Sequence, residues 1–173
     1  MRNGHVYLIG MPGSGKTTLG RKLAQALALP FTDMDARIEA LAGLPIPLLF
    51  AERGEPEFRR LERQVLRGCS EEPFQVIATG GGTVLCEKNV SIMRETGTVL
   101  WIDRPLGLIS NGLRQDTRPL LAGDAVERLH ALYVQREALY RAAAHLRANA
   151  GGTMEEALRR ALTLLEGASC KRE

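Results

Sequence analysis

Val6-Tyr7-Leu8-Ile9 runs directly into Gly10-Met11-Pro12-Gly13-Ser14-Gly15-Lys16-Thr17, and Leu19, Leu23 and Leu27 then recur every fourth residue as far as Ala28. A short apolar run stopped by glycine reads as a buried strand, and the leucine spacing reads as one face of a helix. Between them the octapeptide satisfies G-x-x-x-x-G-K-[ST] at every fixed position. In that setting glycines let successive backbone N–H groups wrap a polyphosphate at a helix N-terminus, where the helix dipole also favours anions. Lys16 is placed to bridge the β- and γ-phosphates, and the Thr17 hydroxyl to bind Mg2+. The stretch predicts a nucleoside-triphosphate site built on a strand–loop–helix unit.

Working outward, short apolar runs alternate with helical patterns, which predicts an α/β fold with a parallel sheet. Phe31-Thr32-Asp33 reads as a second strand, Gln75–Ala78 as a third, and Thr98–Ile102, closed by Asp103, as a fourth. His145–Ala148 is a weaker fifth. Residues 36–70 read as helical, interrupted at 43–47 and at 54–56 by glycine and proline. A long helix is expected over 125–144, and Thr153 caps a last helix with Glu155 and Glu156 in its first turn. Asn111 to Asp124, with glycines at 112 and 123, reads as a polar loop of the length that lids have. No repeat or composition break divides the 173 residues, so one domain is expected.

The 45% hydrophobic and 25% charged composition excludes a disordered chain, and a net charge of +3 is too small to argue for nucleic acid. Of the 23 basic residues 19 are Arg, whose guanidinium forks suit phosphate and carboxylate. Cys69, Cys86 and Cys170 are odd in number and too scattered for a disulfide framework or a zinc pattern, which favours a reducing compartment. No apolar run approaches the roughly 20 residues of a membrane span, and no signal-type segment precedes the first strand. A cytoplasmic protein with neither membrane nor nucleic-acid partner is expected.

Asp33-Met34-Asp35 closes the second strand, where open α/β sheets bind ligands. Strand alternation would put both carboxylates on one side, one for Mg2+ and one for an attacking hydroxyl. The plainer reading makes either Asp a helix N-cap. Thr79-Gly80-Gly81-Gly82 ends the third strand and exposes backbone to close approach by a ligand. No Asp follows that strand, so the metal carboxylate must come from the Asp33/Asp35 pair. Arg59, Arg118 and Arg136, on a helix, in the expected lid and on the long helix, are the remaining candidate cations, although spacing alone reads each as readily as a solvated surface residue.

Taken together, the octapeptide at 10–17, Asp33-x-Asp35, Phe58-Arg59, Gly80-Gly81-Gly82, Arg118-Pro119-Leu120-Leu121 and Arg136-x-x-x-Tyr140 resemble the shikimate kinase family, in family order over residues 5–146. The resemblance implies a five-stranded parallel sheet of order 2-3-1-4-5 flanked by helices, with substrate-binding helices at about 36–70 and a lid at about 112–124. It implies transfer of the ATP γ-phosphate to the 3-hydroxyl of shikimate by a monomer, in aromatic amino-acid biosynthesis. Residue by residue, it implies that Gly13, Ser14, Gly15, Lys16, Thr17, Thr18 and Arg118 bind ATP. Asp33 joins Thr17 in the Mg2+ shell, and Asp35 meets the accepting hydroxyl. Arg59 and Arg136 hold the shikimate carboxylate beside the Gly81 and Gly82 backbone, and Lys16, Asp35 and Arg118 are catalytic. Ile46, Phe50 and Phe58 resemble the apolar wall of the substrate pocket. Two segments depart from the family pattern on the adenine side. Gly112 stands where an Arg is common, and residues 148–152 lack the usual basic or proline residues. A gluconate or nucleoside-monophosphate kinase would leave the glycine triplet and paired arginines without a task. A nucleotide-switch protein would need an Asn-Lys-x-Asp sequence that the chain lacks.

Overall fold

The computed structural model describes residues 4–116 and 122–170, with side chains over 4–111 and 126–168. The strands are β1 (His5–Ile9), β2 (Phe31–Asp33), β3 (Val76–Ala78), β4 (Gly97–Asp103) and β5 (Leu146–Asn149). They form one parallel sheet of order β2-β3-β1-β4-β5. Between and after them lie α1 (Lys16–Ala26), α2 (Met34–Ala42), α3 (Ile46–Glu71), α4 (Glu87–Thr96), α5 (Leu106–Asp116), α6 (Ala122–Ala143) and α7 (Met154–Cys170).

Both faces of the sheet are buried, as crossover helices require. Side-chain alternation divides the core in two. Tyr7, Ile9, Ile77, Val99 and Trp101 face α2, α3, α4 and α6. Val6, Leu8, Val76, Leu100 and Ile102 face α1 and α7. In register, Leu8 and Asp33 both lie opposite Ala78, so the loops after β1, β2 and β3 emerge at one edge.

The expected interruptions of 36–70 are real and differ in kind. At Gly43 (φ 68°) α2 ends, and α3 begins at Ile46, whose N–H donates to Glu39 Oε1 at 2.8 Å. At Gly54 (φ 77°, ψ 170°) the backbone leaves the helix for a single residue. Pro56 therefore falls in the first turn of a restarted helix, where its missing N–H costs nothing. Thr153 caps α7 as expected: Glu156 N–H donates to Thr153 Oγ1 at 3.2 Å, and Thr153 N–H donates back to Glu156 Oε2 at 3.0 Å.

Two expectations are corrected. Residues 111–116 are helical rather than loop, because Leu106 and Ile109 anchor α5 to the core and the helix runs on through a polar stretch. Packing outweighs the cost of Gly112 in a helix interior, about 1 kcal/mol relative to Ala. Likewise α6 begins at Ala122 rather than 125. The helix α4 was not foreseen, since its buried positions are Asn89 and Met93, too few for a visible apolar period. Of the expected lid, residues 117–121 lie outside the described residues. Among the described residues no helix is long and apolar enough to cross a membrane.

Candidate active site

The octapeptide supplies one wall. Gly13 (φ 74°) and Gly15 (φ 87°) occupy the left-handed region that glycine enters without strain, and Gly15 is the N-cap of α1. Lys16, only 9% exposed, donates to the backbone oxygens of Gly10 at 2.9 Å and Met11 at 2.8 Å. Burial pushes its pKa down to about 8, against the pull of Asp35 and Asp33, with Arg136 adding to the depression. Ser14 Oγ is buried and has no hydrogen-bond partner among the described residues. Thr17 and Thr18 are exposed at the start of α1.

Asp33 is the helix cap of the plainer reading, and it also reaches the octapeptide. Its Oδ1 caps α2 by accepting from the N–H groups of Asp35 at 3.0 Å and Ala36 at 3.4 Å, while Oδ2 accepts from Thr17 Oγ1 at 2.7 Å. Asp35 is not on the strand, as alternation suggested, but in the first turn of α2. Its position follows from the cap. The Asp35 carboxyl is raised by burial first and by Asp33 next, with Glu62 and Glu39 adding and Lys16 opposing. The Thr17 hydroxyl and Asp33 carboxylate are hard oxygen donors beside a phosphate-binding loop, a set that suits Mg2+.

The glycine triplet closes the gap between the octapeptide and α3. A Cβ at Gly80 would stand 3.1 Å from Asp35 Oδ1, and one at Gly81 would meet Pro12 Cδ at 2.7 Å. At Gly82 a Cβ would lie 2.7 Å from Arg59 Nη2 and 2.9 Å from Nη1, so a side chain there would expel the guanidinium. The Tyr140 hydroxyl donates to Gly81 O at 2.5 Å. Burial pushes the Tyr140 phenol up, while the Arg136 guanidinium bonded to it pulls the other way. The Arg136–Tyr140 pair on α6 is thus pinned to the glycine loop.

Arg59 lies above the Phe58 ring, Cζ 5.1 Å from its centroid, and the Phe50 ring is 4.6 Å from that of Phe58. Phe58 is buried and Phe50 partly exposed, while Ile46 packs against the same core. Sequence reasoning missed Glu62. It is 1% exposed, accepts from Arg59 Nη1 at 3.0 Å through Oε2 and from Thr83 Oγ1 at 2.8 Å through Oε1. A Glu three residues after an Arg on a predicted helix is a visible signal, but nothing in the sequence says that it is buried.

Lys16, Thr17, Asp33, Asp35, Arg59, Gly80–Gly82 and Arg136 are therefore brought to one edge of the sheet. Arg118 lies outside the described residues. On the adenine side, the Gly112 surroundings are likewise outside the described side chains. Asn149 Oδ1 accepts from Gly151 N–H at 2.8 Å, and Arg160 donates to Gly151 O at 2.7 Å. Arg104 and Met154 approach Gly15, at 4.0 and 3.7 Å from where its Cβ would stand.

Comparison with known proteins gives the same reading independently. The family model described as Shikimate kinase matches residues 12–166. A shikimate kinase of Neisseria gonorrhoeae is 41% identical over 163 residues, covering 91% of this chain and 96% of that protein. The structure of an Acinetobacter baumannii shikimate kinase in complex with shikimate superposes with a TM-score of 0.85 at 33% identity, covering 97% of this chain and 94% of the other. A gluconokinase from Sinorhizobium meliloti, covering 96% and 93%, shares the fold at a TM-score of 0.65 with only 14% identity. With the fold, the converging residues and these likenesses in agreement, the chain belongs to the shikimate kinase family.

Proposed function

We propose that the chain catalyses transfer of the ATP γ-phosphate to the 3-hydroxyl of shikimate, giving shikimate 3-phosphate and ADP, in aromatic amino-acid biosynthesis. The observation that carries this reading is the meeting of an acid-binding end and a phosphate-binding end within one site. Arg59 lies against Gly82, and Asp35 lies between Gly80 and the Lys16 loop.

Phosphoryl transfer needs positioning and charge neutralisation more than covalent chemistry. The loop N–H groups at Gly13, Ser14 and Gly15, with Thr17 and Thr18, hold the polyphosphate of ATP. Lys16 exchanges its two carbonyl partners for phosphate oxygens, whose negative charge keeps the ammonium protonated to higher pH. Thr17 and Asp33 hold Mg2+. When bound, that ion neutralises charge on the β- and γ-phosphates. Arg59 and Arg136 hold the substrate carboxylate beside the backbone of Gly81 and Gly82, and the Phe50–Phe58 pair walls the ring. Asp35 orients the 3-hydroxyl and takes its proton on a carboxylate oxygen as the phosphoryl group leaves ATP. Burial, by raising the Asp35 carboxyl, makes that oxygen a better proton acceptor. Arg118 completes the neutralisation by the family resemblance, as part of a lid at 112–124. We take the working unit to be a single-domain cytoplasmic monomer.

A kinase for gluconate shares the fold and is the competing reading. ADP release measured side by side with shikimate, gluconate and nucleoside monophosphates separates the two. Turnover confined to shikimate is expected, and a preference for gluconate would replace the reading.

A further inference from the structure

Arg59 is engaged by three neighbours and keeps 22% of its side chain exposed. Nη1 donates to Glu62, the tip lies under Gly82, and the side-on fork formed by Nε and Nη2 donates at 3.2 and 3.1 Å to a single oxygen, Oε1 of Glu55. The two carboxylates differ in one decisive respect. The Glu62 side chain is 1% exposed and also bound to Thr83, whereas the Glu55 side chain is 60% exposed. Glu55 also stands in the first turn after the Gly54 break, where α3 restarts. It can move its carboxylate into water without disturbing packed neighbours, and exposed ion pairs at i,i+4 spacing are weak.

The side-on fork is the geometry that a guanidinium offers to a carboxylate ligand. We propose that Glu55 is an internal competitor for the substrate carboxylate. It occupies the Arg59 fork in the empty site, keeps the guanidinium aimed at Gly82, and withdraws to solvent when the acid binds. The inference rests on the reading of Arg59 as the acid-binding residue. Two carboxylates do not share one fork without repulsion, so the affinity for the substrate is a difference between two pairings. Glu55 also favours charged ligands, because a neutral group offers Arg59 a weaker hydrogen bond than the one that it must displace.

The test is shikimate saturation, followed by ADP release, for the wild type, Glu55→Gln and Glu55→Ala. Melting curves of each variant confirm folding. The KM for shikimate is expected to fall roughly two- to fivefold in both variants, with KM for ATP and kcat little moved, the size appropriate to an exposed pair. In an Arg59→Lys background the fork is gone, and removing Glu55 should then leave KM where it was. A wild type that does not phosphorylate shikimate overturns the functional reading and this inference with it. An active wild type whose KM is unchanged or raised in both variants overturns the competitor alone and leaves Glu55 as a strut. A fall in KM that persists in the Arg59→Lys background also overturns it.

Discussion

At the phosphate end, Lys16 is buried and held by two backbone carbonyls of its own octapeptide, Gly10 O and Met11 O. At the acid end, Arg59 is held by two carboxylates, Glu55 and Glu62, and abuts Gly82, which reaches it from another element. Carbonyls are neutral dipoles and only partly offset the loss of water, so Lys16 is pushed down to about 8. The Arg59 charge is offset by neighbouring ions. The octapeptide end is therefore a local device whose cation is bonded only to neutral dipoles, with Asp33 and Asp35 acting on it through charge alone. The Arg59 end is a tertiary assembly whose cation is already paired with carboxylates and, on the proposed reading, exchanges partners when an acid binds.

The contrast is broken most directly at Lys16. Lys16→Met should lower kcat by about a thousandfold or more, since it removes preorganised charge from the transferring phosphate. Its thermal stability should be equal or higher, because replacing a buried charge by an apolar side chain is often neutral or favourable. Retention of turnover within tenfold would show that the loop backbone suffices without the ammonium.

Asp35→Asn tests the point where the two ends meet. Turnover should drop below about a tenth of wild type, the lower range for losing a general base, while titration with a fluorescent ATP analogue gives near-normal affinity. Weakened ATP binding would instead tie Asp35 to the phosphate end.

At the acid end, Glu62→Gln leaves Arg59 with a weaker buried partner and disturbs Thr83. The KM for shikimate should rise roughly tenfold or more, in line with 1.5–3 kcal/mol for a charged hydrogen bond, while kcat moves less. An equal loss in both constants would mean that Glu62 serves the reacting hydroxyl as well.

The smallest effect is on pH dependence. The Lys16 ammonium titrates near 8 in the folded chain against 10.5 for an ordinary lysine. In that window the unfolded chain binds more protons, so stability rises with pH from about 8 to 10.5, and the cost of burying the charge is present in full below 8. The melting-temperature gap between wild type and Lys16→Met should narrow over that range. In the free enzyme the ammonium is lost above pH 8, so kcat/KM should fall by up to about tenfold per pH unit there. The kcat profile should fall at higher pH, because bound triphosphate favours the charged form. Parallel profiles would mean that Lys16 does not change partners on binding.

The octapeptide between a buried strand and an amphipathic helix was legible because its function is local. Glycine dihedrals, a helix N-terminus and a lysine one residue further along act over about ten residues. The strands β1, β3 and β4 were legible for a similar reason, since each is built on a short apolar run, whereas β2 (Phe31–Asp33) and β5 (Leu146–Asn149) are at least half polar and gave a weaker signal. At Asp33 the capping and functional readings competed in the sequence; the structure shows the cap through Oδ1 and sets Oδ2 on the Thr17 hydroxyl. What only tertiary structure decided depends on burial and long-range approach. Glu62 looks like any surface helix glutamate until packing seals it at 1% exposure. Asp35 owes its place to the cap on α2 rather than to strand alternation. The helices α4 and α5 are held by a few core anchors, Val90 and Met93 in one and Leu106 and Ile109 in the other, and their remaining polar sequence reads as loop or as nothing. Local geometry is encoded by residue type and spacing. The charge state and partner of a side chain depend on which distant segments exclude water from it, and that is settled only when the chain packs.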